Sequence, residues 1–166
     1  MCCTIYFMRK ILSLLVVLFA GSFVFAQSAD EITNILNTDQ VTYGQVCYLS
    51  AIRQNLITEA DGYDDAIRAL YANGQIPEEV AGQQEVYLQN LAFIYLQMFP
   101  NVNGGLMYKL TKGSPRYAFK KLKADGVISE NADPNSFVSG RTALSILTTC
   151  MVRYGGEEEC MTMDVE

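Results

Sequence analysis

The sequence predicts an all-α fold, a helical bundle of helix-loop-helix repeats that follows a cleaved signal peptide. Apolar residues recur at helical spacing in successive segments, and glycine and proline separate these segments. No long stretch alternates apolar and polar residues as a half-buried strand would. Residues 75–76 and 127–128 are the short extended candidates, so a bundle of short helices fits the pattern best.

Residues 1–26 have the three parts of a secretory signal peptide. A basic pair after Met8 precedes an apolar run at residues 11–26, which is shorter than the roughly 20 apolar residues of a spanning helix. Because a charged region normally comes first, Met8 is the expected start of translation. We expect cleavage after Ala26 and export to the periplasm, the cell surface or the medium, with no stable membrane span after processing. An uncleaved anchor is the alternative.

Residues 27–154 are predicted to form one domain, and residues 155–166 a flexible acidic tail. The leader carries Arg9 and Lys10 and no acidic residue, so its removal changes the net charge from −6 to −8. Nucleic acid and anionic membrane surfaces are bound through lysine and arginine. The acidic balance therefore disfavours both as partners.

In the first half of the domain, residues 30–38 indicate a short first helix or an ordered segment that leads into the next helix. Thr42 is placed to cap a second helix that ends near Ile57. After a turn, residues 63–73 form a third amphipathic segment, and Gly74 follows as a left-handed stop.

In the second half, residues 86–99 are apolar nearly all round and predict the central, most buried helix, which Pro100 ends. Residues 106–111 resume a short helical stretch. Residues 115–124 form a helix with proline at its first position, and Ser139 is placed to cap the last helix.

An internal repeat links two of these segments. Residues 65–76 match residues 117–128 at a constant offset of 52, and each copy is followed by a polar loop and a second apolar helix. A unit of this kind cannot bury its own apolar face. The copies are therefore expected to pack together into one bundle.

With this repeat the chain resembles the S-layer homology repeat, a helix-loop-helix module of bacterial envelope proteins. Residues 115–153 show its order of helix, glycine stop, Asp-containing loop, aromatic residue and second helix. The matching runs are residues 117–122, 125–128, 133–137 and 139–143. Residues 63–99 are a more degenerate copy, and residues 41–57 are the candidate second half of a third.

The resemblance implies that residues 27–154 form a non-catalytic binding or structural component of the envelope. A cell-wall polymer or another envelope protein is the implied partner. In that family the second helix typically opens with a Thr-Arg-Ala-Glu-like sequence that helps to hold an anionic, pyruvylated wall polymer. Residues 42–45 and 139–142 occupy these places here, without the acidic member, and only Arg141 supplies a positive charge.

The chain contains no histidine and no tryptophan. The absence of histidine removes the commonest general acid or base and most zinc and iron sites. Hydrolysis by two carboxylates is the enzymatic route left, but the candidate carboxylates all lie in predicted loops, caps or exposed faces. We predict no catalytic residue, no metal and no cofactor. A small carboxylate-dependent hydrolase of a wall glycan or peptide, and an interaction module for another exported protein, are the open alternatives.

Five oxygen-bearing side chains follow one another closely but lack the spacing of an EF-hand loop, which predicts turn and cap roles instead. They are Asp125, Glu130, Asn131, Asp133 and Asn135.

One basic cluster interrupts the acidic composition. It consists of Lys109, Lys112, Arg116, Lys120, Lys121 and Lys123. We predict Lys120 and Lys121 as binding residues for an anionic partner, with Arg141 nearby if the repeat packs as expected. A solvated helix face is the alternative.

Three cysteines follow the leader, so they cannot all pair within one chain. Cys150 and Cys160 are the nearest pair in the sequence and the candidates for a single disulfide. Cys47 and Cys150 each lie in an apolar helical pattern, where a buried free thiol acts as a small hydrophobe. Both interpretations stay open.

Overall fold

The computed structural model describes residues 23–76, 80–100, 102 and 113–155 of the chain. Within these ranges it is all-helical, with two isolated β-bridges and no strand, which confirms the predicted fold class. The helices are α1 (Phe23–Leu36), α2 (Tyr43–Arg53), α3 (Tyr63–Ala72), α4 (Leu88–Gln97), α5 (Pro115–Ala124) and α6 (Gly140–Tyr154).

The predicted caps form in the structure. The Thr42 hydroxyl accepts a hydrogen bond from the backbone N–H of Gln45 at 3.4 Å, and the Gln45 side chain accepts one from the Thr42 N–H at 3.0 Å. The Ser139 hydroxyl likewise accepts from the N–H of Thr142 at 3.3 Å. These bonds satisfy N–H groups that a helix start leaves without partners, so they fix where α2 and α6 begin.

Some helix ends differ from the prediction. Gly74 and Gly126 have φ of 68° and 74° and lie just beyond α3 and α5, as expected of left-handed stops. However, α2 ends at Arg53 and not near Ile57, because Asn55 takes a φ of 56°, which an α-helix cannot continue through.

The first helix is longer than predicted, since α1 extends on both sides of Ala26. It therefore includes the last residues of the predicted leader, and cleavage stays a prediction. The short helix predicted at residues 106–111 and most of the predicted tail lie outside the described residues. None of the described helices is long and apolar enough to cross a membrane.

The six described helices form three pairs, α1–α2, α3–α4 and α5–α6, and one loop joins the two helices of each pair. The second helix of each pair packs against the first helix of the next: α2 on α3, α4 on α5, and α6 back on α1. At the centre, α4 also contacts α2 and α6. The expected helix-loop-helix units are therefore present, and they close into a ring.

Three buried valines stand at the centre of this ring. Val41, Val86 and Val138 each lie two residues before the second helix of their pair and are 0%, 0% and 2% exposed. The Val41 N–H donates to the Val138 carbonyl at 2.8 Å, and the Val86 N–H donates to the Val41 carbonyl at 3.0 Å. These bonds hold the three loops together.

The first residue of each second helix also donates to a neighbouring loop. The Tyr43 N–H donates to the Gln84 carbonyl at 2.8 Å, and the Leu88 N–H donates to the Ser136 carbonyl at 2.9 Å. The equivalent bond at α6 joins the Gly140 N–H to a carbonyl at the end of α1. Helix starts that would otherwise leave N–H groups unpaired are thus satisfied by the adjacent pair.

Candidate functional site

A concave groove lies where the start of α4, one face of α5 and the loop before α6 meet. We name it the basic groove; it has a volume of about 610 Å³. The residues that line it are Gln89, Arg116, Phe119, Lys120, Lys123, Pro134 and Asn135.

The helical period of α5 explains the three cations of the groove. Arg116, Lys120 and Lys123 are spaced by four and three residues, so they lie on the same face of the helix. Phe119 lies between them and is 5% exposed, which makes the side of the groove next to the core apolar. The described residues that line the groove include no carboxylate.

Hydrogen bonds fix the opposite wall of the groove. The Gln89 N–H donates to the Pro134 carbonyl at 3.0 Å, and the Gln89 side chain donates to the Asn135 side-chain oxygen at 3.0 Å. The Asp133 carboxylate accepts from the Asn135 N–H at 2.9 Å, and the Asp133 carbonyl accepts from the Ser136 hydroxyl at 2.8 Å. Because the loop is held in this turn, the two amide side chains face the groove in a fixed arrangement.

Two of the lysines rest on aromatic rings. Lys120 Nζ is 5.7 Å from the centroid of the Tyr117 ring, and Lys123 Nζ is 5.4 Å from that of Phe119. Lys123 Nζ also donates to the Glu130 carbonyl oxygen. These contacts position the ammonium groups at the rim without neutralising their charge.

Of the predicted binding residues, only Lys120 lies in the groove. Lys121 points elsewhere, since its Nζ is 2.8 Å from a carboxylate oxygen of Asp125. Arg141 is the second residue of α6, at the junction with α1, and does not line the groove. The structure therefore does not bring the three predicted residues together, and it places Arg116 and Lys123 beside Lys120 instead.

Other parts of the site were missed or lie elsewhere. Lys109 and Lys112 of the predicted basic cluster lie outside the described residues. Gln89 and Asn135 were not predicted as binding residues. The repeat offset of 52 relates the loop before α4 to the loop before α6, but it does not show which helix start each loop contacts. The contact between Gln89 and Asn135 could therefore not be predicted from the sequence.

Lys121 belongs to a separate cluster that joins the ends of α5 and α6. Asp125 accepts hydrogen bonds from Lys121 and from the Tyr154 hydroxyl. Burial alone would raise the pKa of Asp125, but these bonds and the positive charges of Lys121 and Arg153 outweigh burial and lower it. Burial and the contact with Asp125 raise the pKa of Tyr154. The cluster is a structural clamp between two helices.

A second, smaller depression of about 220 Å³, the acidic pocket, lies between α1, α2 and α3. Its lining residues are Glu31, Tyr48, Glu59, Ala60, Asp61, Gly62 and Tyr63. The Tyr63 hydroxyl donates to the Glu31 carboxylate, which ties α1 to α3. Burial, followed by this contact, raises the pKa of Tyr63.

In the acidic pocket Glu31 is half-buried, whereas Glu59 and Asp61 are exposed. Asp61 accepts from the N–H and hydroxyl of Thr58 at 2.7 and 2.8 Å, and these bonds lower its pKa. Among the described residues, the buried polar side chains are Gln45 and Ser50, and no Asp or Glu is buried. Carboxylate-based hydrolysis uses an acid that burial keeps protonated, and the three carboxylates of this pocket are not buried.

Of the five residues predicted to have turn or cap roles, Asp133 is seen in a turn. Asp133 holds its loop through the bonds given above, and Asp125 clamps two helices. Within the part of the chain that the structure describes, no group of His, Cys, Asp and Glu side chains is arranged to hold a metal ion.

The two helical cysteines are core residues. Cys47 and Cys150 are each 0% exposed and make no disulfide with another described cysteine, and burial raises the pKa of both thiols to about 12. Such thiols are unreactive at neutral pH. Cys160, the predicted partner of Cys150, lies outside the described residues, so their pairing stays a prediction.

No protein-family model matches the chain, and a comparison with curated proteins finds no significant match. The resemblance to the S-layer homology repeat therefore stays a prediction, and the geometry of the basic groove is the main ground for a function.

Proposed function

We propose that the protein is an exported, non-catalytic binding component of the cell envelope that holds an anionic wall polymer in its basic groove. The observation that carries this proposal is the convergence of Arg116, Lys120 and Lys123 with two amide side chains on one concave surface. The chain as a whole has a net charge of −6, so this concentration of positive charge stands out from its surroundings.

The repulsion between the three cations of the groove supports the presence of an anionic ligand. Like charges spaced by three or four residues on a helix destabilise it by roughly 0.2–0.5 kcal/mol per pair. Lys120 stands in this relation to both Arg116 and Lys123. An anion bound between them would replace repulsion with charge-assisted hydrogen bonds, which the guanidinium and the two amides are suited to form.

The envelope as the setting rests on the sequence. A secretory leader indicates export, and the helix-loop-helix pairs resemble a module of bacterial envelope proteins. The absence of histidine from the chain and the lack of a buried Asp or Glu among the described residues favour binding over catalysis. Wall polymers of bacteria commonly carry acidic groups, so they match the charge of the groove.

Charge reversal tests the proposal directly. Arg116→Glu combined with Lys120→Glu should reduce co-sedimentation of the purified protein with isolated cell envelopes at least tenfold, because attraction becomes repulsion at two points of the groove. Both side chains are on the α5 face that lines the groove, and the circular dichroism spectrum should keep its helical shape.

The chain offers a matched control. Arg68 occupies on α3 the position that Lys120 occupies on α5, at the offset of 52, and it is paired with Asp65 at 2.7 Å. Arg68→Glu should leave co-sedimentation unchanged. Equal retention of the groove variant and the unaltered protein would reject the basic groove as the binding site.

A further inference from the structure

Two exposed aromatic rings stand beside the basic groove. Tyr87 and Phe137 face each other across a β-bridge, with ring centroids 4.9 Å apart and ring planes inclined by 21°. The two residues are 38% and 44% exposed. Each ring uses one face for its partner, so surface of both remains open to solvent.

The aromatic pair does not line the groove itself but is close in the sequence to the residues of its wall. Tyr87 is two residues before Gln89, and Phe137 is two residues after Asn135, the two amides that are hydrogen-bonded to each other in that wall. Two residues of chain span at most about 7 Å. The Cα atoms of the two aromatic residues are therefore each within about 7 Å of the Cα atom of an amide residue that lines the groove.

The fold does not require aromatic residues at these two positions. The equivalent β-bridge between the first and second helix pairs joins Thr42 and Glu85. Thr42 corresponds to Tyr87 at an offset of 45, and Glu85 corresponds to Phe137 at an offset of 52. The same backbone contact thus forms with small or charged side chains. The aromatic pair is found at the junction that also carries the basic groove, which points to a role for the rings in binding.

We propose that Tyr87 and Phe137 form a second subsite, on which the apolar face of a sugar ring stacks while its acidic neighbour occupies the basic groove. This inference rests on the proposed function and makes the ligand an acidic polysaccharide. An exposed aromatic face suits the C–H face of a pyranose, since it supplies rigid apolar area at little entropic cost. A flexible acidic polypeptide offers no such flat apolar face at a fixed distance from its charges.

Calorimetric titration with galacturonic acid and its linear trimer tests the subsite. The variant Tyr87→Thr with Phe137→Thr should bind the trimer at least tenfold more weakly than the unaltered protein does. Its affinity for the monomer should be within twofold of that of the unaltered protein. Threonine caps α2 at the equivalent position, so α4 should still form, which circular dichroism and the melting temperature would check. Glu85→Gln at the equivalent bridge is the matched control and should change neither affinity.

The outcomes separate the two proposals. Loss of trimer binding in Arg116→Glu with Lys120→Glu, together with unchanged trimer binding in the threonine variant, would overturn the aromatic subsite and leave the basic groove in place. Trimer binding that survives the charge reversal would overturn the proposed function itself. Failure of the unaltered protein to bind the trimer, or equal affinity for an oligo-glutamate peptide of matched charge, would overturn the assignment of the ligand as an acidic saccharide.

Discussion

The junction between α2 and α3 and the junction between α4 and α5 share one backbone frame but differ in what fills it. At the first, the Gly44 N–H donates to the Gly82 carbonyl at 2.9 Å; at the second, the Gln89 N–H makes the equivalent bond. A Cβ on Gly44 would lie 2.9 Å from Cβ of Tyr63, so this junction has no room for a side chain. The other junction holds a glutamine and opens into the basic groove.

The charges of the two junctions differ as well. Arg116 and Lys120 on α5 correspond to Asp64 and Arg68 on α3, and the Arg68 guanidinium is satisfied by Asp65 on its own helix. A repeated scaffold therefore offers several equivalent positions, and side-chain size and local charge decide which of them becomes a site. This agrees with the general separation of fold from function.

The largest expected effect is at the third junction, where α6 meets α1. A Cβ on Gly140 would lie 1.7 Å from the Ile35 carbonyl oxygen. Gly140→Ala should therefore destabilise the protein by more than about 3 kcal/mol, because backbone must move to admit the methyl group. Urea denaturation followed by circular dichroism measures this, and a stability equal to that of the unaltered protein would show that the ring is not closed by this contact.

The next effect compares the tight junction with the open one. Gly44→Ala should destabilise the protein by about 1–3 kcal/mol, because the added methyl group would press on Tyr63 and on the Gly82 carbonyl, which it would approach to 3.0 Å. Gln89→Ala at the equivalent position removes one exposed hydrogen bond and should cost less than about 1 kcal/mol. Equal losses in the two variants would contradict the difference in packing that separates the junctions.

A smaller effect depends on pH and concerns the clamp of Lys121, Asp125 and Tyr154. The folded-state pKa of Asp125 is lowered, so its contribution is present above the unfolded pKa of about 3.9 and is lost as the pH falls through the folded value. Asp125→Asn should be less stable than the unaltered protein at pH 7 by about 1 kcal/mol, and the difference should shrink at pH 3. A pH-independent difference would indicate that charge is not the cause.

The smallest expected effect is that of Tyr87→Thr alone on stability. Tyr87 precedes α4 without a side-chain cap, whereas Thr42 caps α2 at the equivalent position. The gain of a cap, about 0.5–1 kcal/mol, should roughly offset the loss of the aromatic contact with Phe137. A change of the melting temperature by more than a few degrees would show that the aromatic pair is part of the fold and not only of a binding surface.

Much of the fold could be read from local signals. Proline at position 115 and the glycine at position 126 bracket α5 as predicted, and the caps Thr42 and Ser139 lie where the pattern placed them. The predicted end of α2 was wrong because Asn55, which takes the left-handed conformation, is a weaker indication of a helix end than a glycine would be. Local sequence specifies a helix best where a cap or a stop residue marks its end.

The binding site was less accessible to such reasoning. Lys120 lines the basic groove, but its neighbour Lys121 is turned by about 100° around the helix and meets Asp125 instead. The position of Arg141 depends on which helix starts adjoin which loops. That arrangement follows from the cyclic order of the three helix pairs. Neither the helical period nor the repeat offset predicts this order.

The contact of Gly140 with Ile35 also bears on how the chain acquires its structure. These residues come from the last and the first of the described helices, so the contact cannot form until synthesis has passed all the helices between them. Joining distant segments carries a large loop-closure entropy, which slows folding. Until then Ile35, which is fully covered in the finished protein, lacks its final neighbours on α6. Late completion of the tertiary structure would leave the chain unfolded for longer, which suits the export that we propose.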